Sequence, residues 1–179
     1  MKRYLIIGGQ RIAFKDFYDS HNQKVYNIAL NYMQNIQDAE EVTQDVFIKV
    51  YQNAEKFKGR SSITTWIYRI TVNTSLNYLK SKKKNSAIQL NESHSNVQDF
   101  HHPGVKLEQK ENSIALFKAI NKLPESQKTA FILSYIEDLP RNDVAEIMEN
   151  SLKATESLLQ RAKKNLREIL VELYPYRRK

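Results

Sequence analysis

Apolar residues recur at helical spacing along two stretches of the chain, separated by a polar segment. In the first stretch one stripe follows the i, i+3, i+4, i+7, i+8 pattern of an amphipathic helix face. Its members are Val25, Ile28, Ala29, Tyr32 and Met33. Similar stripes lie in residues 42–51, 63–79, 114–120, 130–136, 144–148 and 155–173. The spacing predicts helices in both stretches and no internal repeat.

Between the two stretches, residues 86–112 are polar and aperiodic and contain Pro103-Gly104, which is typical of a linker. We therefore predict an all-α protein in which two small helical domains are joined by a polar linker. The predicted boundaries are an N-terminal extension at 1–10, a first domain at 11–84, a linker at 85–111, a second domain at 112–174 and a basic tail at 175–179.

Composition narrows the class of protein. The chain has 179 residues, 41% of them hydrophobic, which suits one ordinary domain or two small ones. It has no Cys, which excludes disulfides, Cys zinc sites and a thiol nucleophile. No apolar run approaches the roughly 20 residues of a bilayer helix, and the run after Met1-Lys2-Arg3 is too short for a signal peptide. We expect an intracellular protein, and its net charge of +8 permits an acidic partner.

An acidic helix is predicted from Asp38, which is a candidate N-cap with Glu41 as its capping-box partner. Asp38, Glu41 and Asp45 lie at i, i+3 and i+7, with Gln44 beside them. Such carboxylates can cap a helix, dock on a basic partner surface or bind a metal. A metal site needs ligands from a facing helix, and the chain has no Glu-x-x-His motif. The sequence favours capping, then docking, then metal.

The next predicted helix mixes aromatic and basic side chains. It follows the Gly59 loop, has Ser61 and Ser62 as cap candidates, and runs past Trp66 and Tyr78 into the lysine-rich segment 80–84. Aromatic faces with a positive rim are typical of single-stranded nucleic-acid binding, and a glycine loop lets backbone approach an extruded base. Trp66 could instead lie in the hydrophobic core. Arg60 and Asn73 have no evident role in packing, so this alternative is weaker for them.

Residues 141–148, the break at 149–151 and a helix from Leu152 have the spacing of a helix-turn-helix. Ser151 is a good N-cap, and Asn150 tolerates the left-handed conformation that such a turn uses. A plain αα-hairpin has similar spacing. The following helix carries a polar stripe whose side-chain types read base edges and phosphates. A solvated helix face is the alternative, but the basic cluster behind the turn favours nucleic-acid binding.

Several motifs together resemble bacterial RNA polymerase sigma factors of the sigma-70 type, extracytoplasmic-function (ECF) subfamily. The similarity spans about residues 14–84 and 112–172. It is strongest in DAEEVTQDVF at 38–47, FKGRSSITTWIYRITVN at 57–73, Leu123-Pro124, AEIM at 145–148 and LQRAKKNL at 159–166. The resemblance implies a region 2-like bundle followed by a region 4-like helix-turn-helix.

The resemblance also implies roles for three groups of residues. Core polymerase would be bound by Asp38, Glu41, Gln44, Asp45 and Phe47. The loop at residues 57–62 and the helix through Asn73 would capture an unpaired base of the minus-10 promoter element. The residues that would bind this element are Phe57, Lys58, Gly59, Arg60, Ser61, Ser62, Trp66, Arg69, Asn73 and Lys80. The duplex minus-35 element would be read by Lys153, Glu156, Ser157, Gln160, Arg161 and Lys164. The linker would thread toward the polymerase active-site channel.

The implied protein is a non-enzymatic initiation subunit of the bacterial cytoplasm, with no cofactor, no metal and no small-molecule substrate. Its implied partners are core RNA polymerase, promoter DNA in duplex and melted form, and an anti-sigma factor. Three positions depart from the family pattern: Glu149 stands where many members have Gly, Lys153-Ala154 where Gly-Thr is common, and Glu156 where a basic residue is common. The promoter sequence therefore cannot be transferred from other members.

Two rival functions use parts of the same pattern. A helix-turn-helix regulator that acts without being a polymerase subunit would need only the second domain, and neither the acidic helix nor the aromatic-basic one. A helical carboxylate enzyme would use Asp38, Glu41 and Asp45, but the sequence offers no second acidic pair in a sensible register, and His94, His101 and His102 all lie in the predicted linker.

Overall fold

The computed structural model describes residues 4–88 and 110–175, with side chains at 4–85 and 113–175. Most of the predicted linker and the basic residues of the predicted tail lie outside the described residues, as do the three linker histidines. The chain divides into two compact units, residues 1–93 and 94–179. Each unit is largely helical, in agreement with the predicted fold class.

The first unit opens with a β-hairpin that the sequence analysis did not predict. Strand β1 (Tyr4–Ile7) pairs antiparallel with β2 (Gln10–Ala13), and Ile7 lies opposite Gln10. Gly8 and Gly9 form the two-residue turn with φ of 58° and 80°, the positive values that a tight hairpin requires. Leu5 and Ile7 are buried. Residues 4–10, predicted as an extension, therefore pack on the first unit.

Three helices complete this unit: α1 (Phe14–Met33), α2 (Ile36–Asn53) and α3 (Ile63–Ile88), with a short 3₁₀ turn at Ala54–Lys56. All three helices contact one another. Their fully buried side chains include Val25, Ile28, Leu30, Val42, Val46, Val50 and Ile67. Burial of each such side chain contributes about 1.5–3 kcal/mol, so the predicted stripes supply much of the force that joins the helices.

The helix starts confirm one predicted cap and correct another. Ser62 caps α3, because its Oγ accepts a hydrogen bond from the Thr65 N–H across 2.9 Å. The predicted N-cap Asp38 is wrong. Helix α2 begins one turn earlier, and the Asn35 side chain accepts from the Asp38 N–H across 2.9 Å.

The second unit contains α4 (Lys110–Asn121), α5 (Glu125–Phe131), a π-helical turn (Ile132–Ile136), α6 (Arg141–Ile147) and α7 (Leu152–Leu173). Pro124 and Pro140 precede α5 and α6, at positions where a missing N–H costs no helical hydrogen bond. Helix α7 packs on α4, α5 and α6. Its buried residues are Thr155, Leu159, Ala162 and Leu166. Among the helices described, none is long and apolar enough to cross a membrane.

Candidate partner and nucleic-acid interfaces

Helix α2 presents a continuous exposed stripe to solvent. The stripe residues lie at i, i+4, i+7 and i+11, which one face of a helix brings into line. They are Gln37, Glu41, Gln44 and Ile48. Ile48 is 53% exposed, so an apolar side chain stands among the polar ones. We call these four residues the α2 stripe. Glu41 and Gln44 were predicted from the sequence, whereas Gln37 and Ile48 were not, although Ile48 repeats at i+4 from Gln44.

The other predicted docking residues lie elsewhere on the helix. Asp45 is half-buried at the border of the α2 stripe. Phe47 is only 4% exposed and points into the core, where its ring lies 4.6 Å from the ring of Tyr18 and 6.5 Å from that of Phe14. Phe47 therefore supports α2 from beneath. Asp38 has a side chain only 17% exposed and faces α3.

Asp38 is held by two side chains of α3. The Tyr78 hydroxyl lies 2.9 Å from Oδ1 of Asp38 and 2.9 Å from Oε2 of Glu41. Lys82 Nζ donates to Oδ2 of Asp38 across 2.5 Å. Partial burial and these two carboxylate partners raise the pKa of Tyr78, so the hydroxyl keeps its proton and donates. Tyr78 therefore belongs to a polar contact between α2 and α3 rather than to an aromatic nucleic-acid surface.

The carboxylates of α2 do not assemble a metal site. Within residues 4–88 and 110–175 no group of three His, Cys, Asp or Glu side chains could hold a metal ion. The Asp38 oxygens are instead engaged by a hydroxyl and an ammonium group. Asp38 therefore has a structural role, whereas Glu41 and Gln44 have the exposure that docking on a partner requires.

One face of helix α3 carries Trp66 together with basic and amide side chains. The members of this α3 stripe follow at i, i+3, i+7, i+11, i+14 and i+18, and all are at least partly exposed. They are Trp66, Arg69, Asn73, Asn77, Lys80 and Lys84. The predicted residues Arg69, Asn73 and Lys80 thus share a face with Trp66, which is half-buried rather than in the core.

A groove of about 340 Å³ runs beside the start of the α3 stripe. It is lined by Lys49, Asn53, Lys56, Trp66, Ile70, Asn73 and Thr74. Lys49 Nζ donates to Thr74 Oγ1 across 3.0 Å, and Lys56 Nζ donates to Asn53 Oδ1 across 3.2 Å. The groove therefore combines an aromatic wall, amide groups and two ammonium groups, which suits a base with its phosphate.

The sequence analysis missed the α2 side of this groove. Lys49, Asn53 and Lys56 lie at i, i+4 and i+7, which is a recognisable helical stripe. Nothing in the sequence indicates that this stripe meets Trp66 and Asn73, because the pairing of α2 with α3 is a long-range contact.

The loop at residues 57–62 lies at one end of the groove. The Phe57 ring packs 5.2 Å from the Trp66 ring, and Lys58, Gly59 and Arg60 are exposed. Gly59 has φ of 66°, and no atom lies near the position of a Cβ there. A non-glycine residue would therefore meet backbone strain rather than a clash. Ser61 is half-buried, and the Ser62 hydroxyl is used in the cap of α3.

In the second unit the predicted helix-turn-helix is present, but the left-handed residue is Glu149, with φ of 55°. The assignment of that conformation to Asn150 is wrong. The turn closes with hydrogen bonds from the Asn150 N–H to the Ala145 carbonyl and from the Glu149 N–H to the Glu146 carbonyl. The predicted cap Ser151 is confirmed, since its Oγ accepts from the Ala154 N–H across 3.2 Å.

The predicted reading residues of α7 form one accessible face opposite the buried residues of the helix. Those that are exposed are Lys153, Ser157, Gln160, Arg161 and Lys164. Glu156 is partly exposed and lies 3.5 Å from Arg141 at the start of α6. Ser157 Oγ and Arg161 Nε donate to backbone carbonyls within α7. Arg141, the partner of Glu156, was not predicted from the sequence, because it follows Pro140 in a segment that has no polar stripe.

Two family models match the chain, one in each unit. Sigma-70 region 2 matches residues 17–85. Sigma-70, region 4 matches residues 113–166.

Curated proteins similar to the chain over most of its length include two sigma factors. The ECF RNA polymerase sigma-E factor of Haemophilus influenzae is 32% identical over 163 residues, which cover 87% of this chain and 86% of the relative. The ECF RNA polymerase sigma factor SigW of Bacillus subtilis is 27% identical over 173 residues, covering 92% of each.

Two solved structures have a similar fold. One is the sigma factor RpoE in complex with the anti-sigma factor NepR from Bartonella quintana, with a TM-score of 0.70, 20% identity and coverage of 88% of this chain and 96% of that one. The other is CnrH in complex with the cytosolic domain of CnrY, with a TM-score of 0.63, 18% identity and coverage of 88% and 86%.

Proposed function

Because the chain belongs to the ECF sigma factors of the sigma-70 family, which direct RNA polymerase in transcription initiation, we propose that it divides promoter recognition between its two units. The first unit captures unpaired bases of the minus-10 element and docks on core polymerase, and the second reads the minus-35 element as duplex. The observation that carries this proposal is that α2 and α3 present different chemistry, carboxylate and amide on one helix, aromatic and basic on the other.

Docking on core polymerase is assigned to the α2 stripe. Glu41 offers charge to a basic partner surface, and Ile48 offers apolar area that water solvates poorly. Asp45 borders this surface. Phe47 and Asp38 act indirectly, because one is in the core and the other is covered by α3.

Capture of an unpaired base is assigned to the groove and the loop at residues 57–62. Extrusion of a base from the stack costs a few kcal/mol. Stacking on Trp66 or Phe57 and amide contacts from Asn73 must offset this cost. Positive charge for the backbone of the melted strand comes from Lys49, Lys56, Lys80 and Arg60. Phosphate contacts of this kind make the affinity fall steeply with salt.

Reading of the minus-35 element is assigned to the exposed face of α7. Gln160 has the geometry to pair with adenine, Arg161 with guanine, and Glu156 can accept from cytosine. Lys153 and Lys164 at the two ends of the face would contact phosphates, which positions the helix without specifying sequence.

An anti-sigma partner is part of the proposal. It is supported by the family membership and by the fold shared with RpoE, whose solved structure contains the anti-sigma factor NepR. The cellular site of action is the bacterial cytoplasm, where polymerase and chromosome are found.

A transcriptional regulator that acts without joining polymerase is the rival function. A regulator of that kind would need neither the α2 stripe nor the groove of the first unit. Transcription reconstituted with core polymerase and a library of genomic fragments separates the two. We expect promoter-specific transcripts only when the chain is added, and transcripts independent of the chain would contradict the proposal.

Base capture is tested on a promoter from that library, built as a fork with a duplex upstream part and a single-stranded minus-10 element. Each base of the single strand is replaced in turn by an abasic site. We expect one or two positions at which the loss of the base weakens holoenzyme binding at least tenfold. Equal binding at every abasic position would contradict capture while leaving the docking assignment intact.

A further inference from the structure

Three polar side chains of α3 contact α2 in a row along the line where the two helices meet. Thr74, Tyr78 and Lys82 lie at i, i+4 and i+8 on α3. Thr74 accepts a hydrogen bond from Lys49, Tyr78 contacts Asp38 and Glu41, and Lys82 donates to Asp38. The rising numbers of α3 meet falling numbers of α2, so the helices run antiparallel here. We call this row of contacts the polar seam.

Tyr78 is the centre of the seam. Its hydroxyl carries a single proton and lies 2.9 Å from an oxygen of each of two carboxylates, Asp38 and Glu41. A hydroxyl between two carboxylates lowers the repulsion between them and restricts their rotamers. Lys82 engages the second oxygen of Asp38. The Asp38 side chain is therefore an anchor, whereas Glu41 is exposed and remains accessible to a partner.

We propose that Tyr78 is a positioning residue for core polymerase, which fixes the Glu41 carboxylate in the orientation that the polymerase surface binds. The inference rests on the proposed docking role of the α2 stripe. Glu41 is a long side chain on an exposed face, and an unrestrained glutamate loses rotamer entropy when it is immobilised in an interface. The Tyr78 hydroxyl removes part of that loss before the encounter.

The test is a double-mutant cycle on the full chain, with affinity for core polymerase as the readout. We expect Tyr78→Phe, which keeps the ring and removes the hydroxyl, to weaken binding about fivefold to tenfold. We expect Glu41→Gln to weaken binding at least as much. If Tyr78 acts through Glu41, the double variant binds no more weakly than Glu41→Gln alone.

A merely structural role of Tyr78 gives a different result, because a general loss of packing adds to the loss caused by Glu41→Gln. Tyr4→Phe is the matched control: the Arg11 guanidinium lies 4.0 Å from the Tyr4 ring, a contact that Phe preserves, and core affinity should not change. Hydrogen exchange of α2 and α3 in Tyr78→Phe shows whether the helices stay formed. If they open while the affinity falls, the loss is structural and the positioning role is overturned.

The outcomes separate this inference from the proposed function. Native-like binding by Tyr78→Phe together with weak binding by Glu41→Gln overturns the positioning role and leaves docking in place. Unchanged binding by Glu41→Gln overturns docking by the α2 stripe, and the positioning role with it. Additive losses in the double variant also overturn the positioning role.

Discussion

The N–H of Asn150 donates a hydrogen bond to the carbonyl of Ala145 across 2.9 Å, and this bond closes the turn between α6 and α7. With the bond from the Glu149 N–H to the Glu146 carbonyl, it forms a Schellman motif, in which the left-handed residue is usually glycine. Here Glu149 has φ of 55°. A side chain in this conformation costs about 1–2 kcal/mol, so the turn is a strained point of the second unit.

Glu149→Gly should therefore raise the free energy of unfolding of the second unit by about 1 kcal/mol, because glycine adopts this conformation without strain. Thermal unfolding followed by calorimetry on the full chain measures the change. Asn150→Gly is the control, since Asn150 does not have a positive φ. That variant should gain nothing, and an equal gain in both would mean that strain at Glu149 is not the cause.

Lys128 is a buried cation in α5. Its side chain is 8% exposed, and Nζ donates to Asn121 Oδ1 across 2.7 Å. Burial lowers the pKa of Lys128 to about 8 from its ordinary value of 10.5. The unfolded chain therefore binds more protons at this site between about pH 8 and pH 10.5. The contribution of Lys128 to the free energy of unfolding therefore rises with pH across that window.

Lys128→Met should remove this dependence. We expect the native chain to gain about 2 kcal/mol relative to Lys128→Met between pH 7.5 and pH 10, as the ammonium group loses its proton in the folded state. Denaturant unfolding of both chains at several pH values gives the difference, in which other titrating groups cancel. A difference that is flat with pH would show that Lys128 titrates normally.

Ile48→Asp should weaken core polymerase binding at least tenfold without unfolding the first unit, because the side chain is 53% exposed and is the apolar member of the α2 stripe. Ile36→Asp is a matched control on the same helix, 54% exposed but off the stripe. Its affinity for core should stay native. Binding measured by fluorescence anisotropy with labelled chain checks both, and equal losses would refute a docking role for the stripe.

Gln160 and Glu156 should determine the preferred upstream element. Replacement of either residue by Ala should lower the discrimination between the preferred and the other bases at one base pair by about 1–3 kcal/mol. Selection of bound duplexes from a randomised minus-35 library, with reconstituted holoenzyme, reads out the change. If affinity falls uniformly while the selected sequence stays the same, these side chains contact phosphate rather than bases.

The sequence predicted the helices well because their stripes record burial directly. Val25, Ile28 and Val46 have no solvent exposure, as their spacing indicates. Ser62 and Ser151 cap the helices for which they were proposed, since each stands immediately before a stripe. The hairpin at residues 4–13 was missed because its strands have four residues each, too few for a period to emerge.

The errors arise where a long-range contact or a local backbone conformation decides the outcome. Asn35 and Asp38 are both good N-caps; α2 begins after Asn35, where the preceding Gln34 is left-handed with φ of 50°. Tyr78 and Asp38 are 40 residues apart, and their hydrogen bond depends on how α3 is rotated on α2. The same packing places Lys49 beside Thr74 in the groove.

Capture of an unpaired base by the first unit is tested most directly by the fluorescence of a base analogue in the melted strand. 2-Aminopurine is placed in the promoter at the minus-10 position most sensitive to an abasic site, and its fluorescence is recorded with reconstituted holoenzyme. The native chain should produce the rise that accompanies unstacking, and Asn73→Ala should produce little of it while binding core polymerase normally. The same rise with both chains, or an equal loss of core binding by Asn73→Ala, would contradict the account.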